Sequence, residues 1–190
     1  MPMNEAHQAL CSSEEWAQTV KDRLLPWALE GVELGDDVVE IGPGYAANLR
    51  VLVDLVPRLT AVEIDEATAR LLERDWGDRA RILHADASRM PLPDAAYSAV
   101  VGFTMLHHVP TDALQDRIFA EAFRVLRPGG VFAGSDSQPS PELDELHIGD
   151  VMNTVDPEEL PGRLKAAGFT DVAVELHPET GGMRFRAHRP

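Results

Sequence analysis

The chain of 190 residues carries 17 basic and 32 acidic residues, a formal charge of −15, and a single cysteine, Cys11. That length suits one domain with a core that needs no disulfide. One cysteine cannot form an internal bridge, and no Cys/His run has zinc-ligand spacing, so no metal is expected. The acidic balance argues against nucleic acid or anionic lipid as partner. No apolar run approaches the roughly 18 residues of a membrane span, and no leader pattern opens the chain, so a reducing cytoplasm is the expected setting.

Residues 1–12, with His7 and Cys11, show no clear periodicity. Ser12 or Ser13 then caps a helix whose first turn holds Glu14 and Glu15 and whose one face holds Trp16, Val20 and Leu24; Pro26 should kink or restart it and Gly31 ends it. This opening stretch, 1–31, reads either as a lid over a ligand site or as a helix covering a sheet edge. Val38-Val39-Glu40-Ile41 is a β-branched run that stops at Gly42-Pro43-Gly44, and an apolar helical pattern leads away from Ala46 to Pro57. Strand, glycine turn and helix in that order begin a doubly wound α/β domain, where small ligands settle at the strand's carboxyl end. Two residues select the ligand. Pro43 lacks the amide N–H a pyrophosphate would use, and Glu40 repels phosphate but attracts an ammonium or sulfonium.

The second strand, 59–64, ends in Glu63, about twenty positions beyond the glycine turn, where a carboxylate accepts both ribose hydroxyls; it argues for a nucleoside without deciding which. Asp65 reads as the N-cap of the helix at 66–74. A short third strand, 81–84, precedes Asp86, and a Pro-rich loop leads into a fourth strand around Tyr97-Ser98-Ala99-Val100-Val101. His107 and His108 follow that strand at the sheet's carboxyl edge. Being adjacent, they cannot both face a pocket on a regular element, and His107 is the candidate to hydrogen-bond a ligand or act as a base. Thr111 caps a helix with a core stripe of Leu114, Ile118, Ala122 and Leu126, and Arg127-Pro128-Gly129-Gly130 turns into a fifth strand, 131–136. The stretch 137–155 has no periodicity and is expected to shape a substrate site, with Asp136, His147 and Met152 as candidates. Asp156-Pro157-Glu158-Glu159 starts a final helix, and two strands close the chain.

Glu40-x-Gly42-x-Gly44 resembles the first motif of class I S-adenosylmethionine-dependent methyltransferases, with Ala46 where that family usually has a third glycine. Val125-Leu126-Arg127-Pro128-Gly129-Gly130 is another of its signatures, whereas Tyr97-Ser98 stands where members commonly carry Phe-Asp. The resemblance runs from about Ser12 to the end and is to small stand-alone methyltransferases similar to those of ubiquinone and menaquinone biosynthesis. It implies a single Rossmann-like α/β domain, 1–190, with a cofactor-binding core at 36–136. A doubly wound, mostly parallel seven-stranded sheet would have helices on both faces and, in 156–190, a C-terminal antiparallel hairpin. It implies S-adenosyl-L-methionine as cofactor: Glu40, Gly42 and Gly44 at the methionyl portion, Glu63 with Ile64 at the ribose, Asp86 and Ala87 at the adenine, and Phe103 and Thr104 in the crevice. The implied partner is a small-molecule methyl acceptor. A nicotinamide-dependent oxidoreductase and a non-catalytic binding module are the alternatives, the first opposed by Pro43, Glu40 and the terminal hairpin.

Overall fold

Among the described residues, seven strands form one sheet: β1 (Asp37–Ile41), β2 (Arg58–Glu63), β3 (Arg81–His84), β4 (Tyr97–Phe103), β5 (Leu126–Asp136), β6 (Thr170–Leu176) and β7 (Met183–His188). The computed structural model describes residues 3–190. The strand order is β3-β2-β1-β4-β5-β7-β6; the first five run parallel, and β7 is antiparallel to both β5 and β6. This is the expected doubly wound sheet with its terminal hairpin.

Alternation along the strands explains why both faces are covered. Val39, Ile41, Val62, Val100 and Phe132 point into one core, shared with Ile118, Phe119, Leu160 and Leu164. Val38, Ala61, Ala99, Val101 and Val131 point into the other, shared with Val20, Leu25, Leu49, Leu52 and Leu72. A strand buried on both faces must be apolar at nearly every position, as parallel strands are. Asp37 starts β1 half-buried, and the one fully buried exception within the strand is Glu40, on the Val38 side of the sheet.

The helices are α1 (Glu5–Cys11), α2 (Glu14–Thr19), α3 (Leu25–Ala28), α4 (Leu49–Leu55), α5 (Glu66–Trp76), α6 (Asp112–Val125), α7 (Pro141–Leu146) and α8 (Leu160–Ala166). Ser13 caps α2, its hydroxyl accepting from Trp16 N at 3.0 Å, and a π segment, Val20–Leu24, carries the chain into α3. The wider π turn stands just before Pro26, whose ring clashes with the preceding turn of a regular helix. Three departures from the sequence reading have local causes. Residues 5–11 are helical because Asn4 caps them, its side chain accepting from His7 N at 2.9 Å. The aperiodic stretch 137–155 contains α7, capped by Ser140 and started by Pro141. Asp156 holds a turn, accepting from Glu158 N at 2.8 Å, rather than capping the last helix, which begins later at Leu160 with Pro161 in its first turn.

The Arg127-Pro128-Gly129-Gly130 turn is inserted within β5: Leu126 pairs with Tyr97 and pairing resumes at Val131 with Ala99. Gly129 N donates to Arg189 O at 2.8 Å and Arg189 N to Gly130 O at 2.9 Å, so the bulge is tied to the end of the chain. In β5, Gly134 lies so close to β4 that an added Cβ would stand 2.0 Å from Gly102 O. Gly134→Ala is therefore expected to destabilise the domain by roughly 2–3 kcal/mol in urea unfolding, because backbone on the facing strand has to move.

Candidate active site

Parallel strands deliver their carboxyl ends to one edge, and the strand order reverses between β1 and β4, the position where such sheets bind ligands. Glu63, Gly42, Thr104 and Asp136 all stand on that edge, at or just past the ends of β2, β1, β4 and β5. Gly42 turns with φ +67°, and its N donates to Val62 O at 2.9 Å. Ala46 takes φ +66°, the left-handed conformation that the missing third glycine would adopt without strain.

Glu63 is 6% exposed, with each oxygen engaged once: Oε2 accepts from Gly44 N at 3.2 Å and Oε1 from Asp65 N at 2.9 Å. Both keep lone pairs for a ligand's hydroxyls. Asp65 caps α5, accepting from Thr68 N at 2.8 Å. Ile64, beside Glu63, is 59% exposed and presents an apolar face to the edge. Asp86 is exposed and accepts from Ser88 N at 2.8 Å, capping the short turn that contains buried Ala87; its second oxygen makes no such bond. The Phe103 side chain is buried in the core on the Val38 side, so only its backbone belongs to the edge. Thr104 follows in a left-handed conformation, φ +50°, with N donating to Ser135 O at 2.8 Å.

Glu40 is the unusual group. It is 0% exposed, and among the described residues neither of its carboxylate oxygens has a hydrogen-bond partner. Burial pushes its pKa up to about 8, and the nearby Glu63 carboxylate adds to the push. Asn48 Oδ1, at the start of α4, is likewise buried and unpartnered. Once ionised, a buried carboxylate of this kind only accepts, and it is then the complement of a cationic donor such as an ammonium. These residues therefore fit S-adenosylmethionine, which carries one. Met105, a residue to which the sequence assigned no role, stands beside the glycine turn. Its side chain lies against Gly42, where an added Cβ would meet Met105 Cβ at 3.1 Å, and against Gly102.

Beyond the crevice stands a group of imidazoles. His107 and His108 occupy a 3-10 turn, Leu106–His108, and their ring centroids are 4.1 Å apart. The tight turn thus turns both rings toward one cluster, contrary to the expectation that only one could point inward. His107 is 2% exposed; Asp136 Oδ1 accepts from its Nδ1 and Asp136 Oδ2 from its backbone N at 3.1 Å. His108 is half-buried, and burial together with the neighbouring imidazoles pushes its pKa down to about 2. Gln115, fully buried on α6, donates to Leu106 O at 3.0 Å and Asn153 O at 2.9 Å, joining this turn to the 137–155 stretch. His147 also joins the cluster, 5.0 Å from the His107 ring, whereas Met152 is at the surface. His7 completes it, 5.0 Å from His108. The sequence offered no signal for His7 beyond its presence.

The strand order and this edge define a doubly wound α/β domain whose carboxyl edge carries buried carboxylates. A family model described as a methyltransferase domain matches residues 39–134. A probable S-adenosylmethionine-dependent methyltransferase of Mycolicibacterium smegmatis is 30% identical, the match covering 80% of this chain and 63% of the relative. The 27-O-demethylrifamycin SV methyltransferase of Amycolatopsis mediterranei is also 30% identical, covering 85% and 63%. The chain thus spans 63% of the length of either relative. A protein of Pyrococcus horikoshii has the same fold, with a TM-score of 0.78, 16% identity, and 95% and 94% of the two chains covered. The chain belongs to the class I S-adenosylmethionine-dependent methyltransferase family. No helix of the described residues is long and apolar enough to cross a membrane.

Glu40 dictates a pH dependence. Its folded pKa lies above the ordinary carboxylate value, so between about pH 4.5 and 8 the unfolded chain releases a proton that the ligand-free fold retains. This contribution to stability is full below that window and is lost as pH rises through it. Glu40→Gln is expected to flatten the decline, with an advantage over the native protein that grows from pH 5 to 8 and reaches on the order of 2 kcal/mol in denaturant titrations.

Proposed function

We propose that the chain transfers a methyl group from S-adenosylmethionine to a small molecule that loses a proton from oxygen or nitrogen as it is methylated. The observation that carries this reading is the His107–Asp136 pair, buried on the ligand edge one strand from the glycine turn. A carboxylate that accepts from Nδ1 fixes the tautomer, leaving Nε2 as the basic nitrogen and stabilising the imidazolium formed when it takes a proton. Asp136 also accepts from Ser137 N at 2.7 Å, which holds its carboxylate in place.

When bound, S-adenosylmethionine supplies an electrophilic methyl group on a positively charged sulfur. Glu40 meets the ammonium of its amino acid end, Glu63 the ribose hydroxyls, and the free oxygen of Asp86 the adenine amino group. Ile64 offers an apolar surface beside the rings, and Gly42 and Gly44 let the backbone approach. Met105 must swing aside, and an unbranched thioether chain does this readily. The chain's contribution to rate is then orientation of the acceptor, exclusion of water and, through His107, removal of a proton. An oxygen acceptor draws support from the rifamycin relative, which is named for O-methylation.

Calorimetric titration with S-adenosylhomocysteine is expected to give micromolar binding that Glu63→Ala weakens at least about tenfold. Once an acceptor is found by screening phenols, alcohols and amines, His107→Asn and Asp136→Asn should each lower kcat by about 100-fold or more while leaving affinity for S-adenosylhomocysteine unchanged. Absence of binding overturns the cofactor assignment; unchanged kcat in both variants overturns the base.

A further inference from the structure

We infer that His7, His108 and His147 form a binding site for one divalent transition-metal ion of the zinc class. Each offers a ring nitrogen, and the three nitrogens lie within 4.8 Å of one another. They come from α1, the turn after β4 and the end of α7, segments far apart in the chain.

Hydrogen bonds settle which nitrogen is available in two of the three rings. His147 Nδ1 lies 2.8 Å from Leu143 O, and a carbonyl only accepts, so Nδ1 carries the proton and Nε2 is a bare lone pair in the neutral ring. That Nε2 is buried and has no partner among the described residues, and the residue is 4% exposed. His7 Nδ1 is 3.1 Å from Asp150 Oδ2, which can only accept when ionised, so the same tautomer follows and Nε2 again is the free donor atom. Asp150 is fixed in turn by Asn4 N, 2.7 Å from its Oδ1. One imidazole backed by a carboxylate and one by a backbone carbonyl are the two usual supports of metal-ligating histidines.

Converging lone pairs cannot hydrogen-bond one another, and the cation that suits them accepts nitrogen electrons. Neutral imidazoles favour zinc, cobalt, nickel or copper over magnesium and calcium. With a metal–nitrogen bond of about 2.0–2.1 Å, tetrahedral ligands stand about 3.3–3.4 Å apart, so metal entry draws the rings slightly closer. Three nitrogens leave one position of a tetrahedral ion open to a further ligand. The ion would also fasten α1 and the 137–155 stretch, already joined by Asn4 Nδ2 donating to Leu146 O at 2.7 Å, onto the His107 turn. His7 and His147 lie outside the 39–134 span of the family match and His108 within it, so two of the three ligands come from this chain's flanking segments.

The test uses the tag-free chain, stripped with a chelator and titrated with zinc by calorimetry and with cobalt by visible absorption. The expected result is one ion per chain with micromolar or tighter affinity, a d–d absorption band for bound cobalt, and no uptake of magnesium. His7→Gln and His147→Gln should each weaken zinc binding by about 100-fold, and Asp150→Asn, which keeps all three ligands, by about tenfold. His84→Gln, at an exposed histidine that bonds Ile64 O, should bind zinc like the native protein. S-adenosylhomocysteine binding by the metal-free chain and by each variant reports separately on folding and on the cofactor site. Lack of zinc uptake by the native chain, or uptake unchanged in folded His7, His147 and Asp150 variants, overturns the site, whatever the cofactor titration gives.

Discussion

A carboxylate with no hydrogen-bond partner among the described residues sits in the buried β1–β4 strand pair, and the carboxyl edge is arranged around it. Burying an unpaired charge is far more costly than burying the neutral acid, so ligand-free Glu40 holds its proton up to about pH 8. Tyr97 to Phe103 and Val38 to Ile41 surround the position with apolar side chains on both faces, and Glu63, one strand over, opposes ionisation further. A cationic ligand reverses this balance, since its charge takes the place of water. The fold thus carries a destabilising group at the point where binding free energy is available to offset it, a common relation between strain and function.

Glu63 differs from Glu40 although both end or nearly end a buried strand. It accepts two backbone amides, from Gly44 and Asp65, and so doubles as the clip that holds the glycine turn against β2. Met105 lies against Gly42 and Gly102 from the other side, on a loop that begins with the left-handed Thr104.

The imidazole cluster answers a different constraint. Four rings at centroid distances of 4.1–5.1 Å crowd one place, and the ring lone pairs that no hydrogen donor reaches must be met by something else. Asp136 and Asp150 stand behind two of them and orient the protons outward from the cluster. An acidic chain has carboxylates to spare, and here two of them serve as supports for histidines rather than as surface charge.

Local signals carried a large part of this molecule. The β-branched run into Gly42, the roughly twenty-residue step to Glu63 and the caps at Ser13, Asp65 and Thr111 all act over a few residues, so they can be read from order along the chain. The alternation that hides both faces of β1 and the Arg127-Pro128-Gly129-Gly130 turn are of the same kind. What sequence order could not disclose depends on which distant segments the sheet topology brings together. His7, His108 and His147 have no periodic relation, and only the shared carboxyl edge places their nitrogens within 4.8 Å. The pairing of His107 with Asp136 requires β4 and β5 to be neighbours in register, and the burial of the Phe103 side chain depends on which face the last residue of β4 takes. Residue type and spacing determined the strand, glycine turn and helix at the carboxyl edge. The placing of Met105 against Gly42, the dry surroundings of Glu40 and the gathering of the histidines were decided by packing, because each is a contact between parts of the chain that local propensity does not connect.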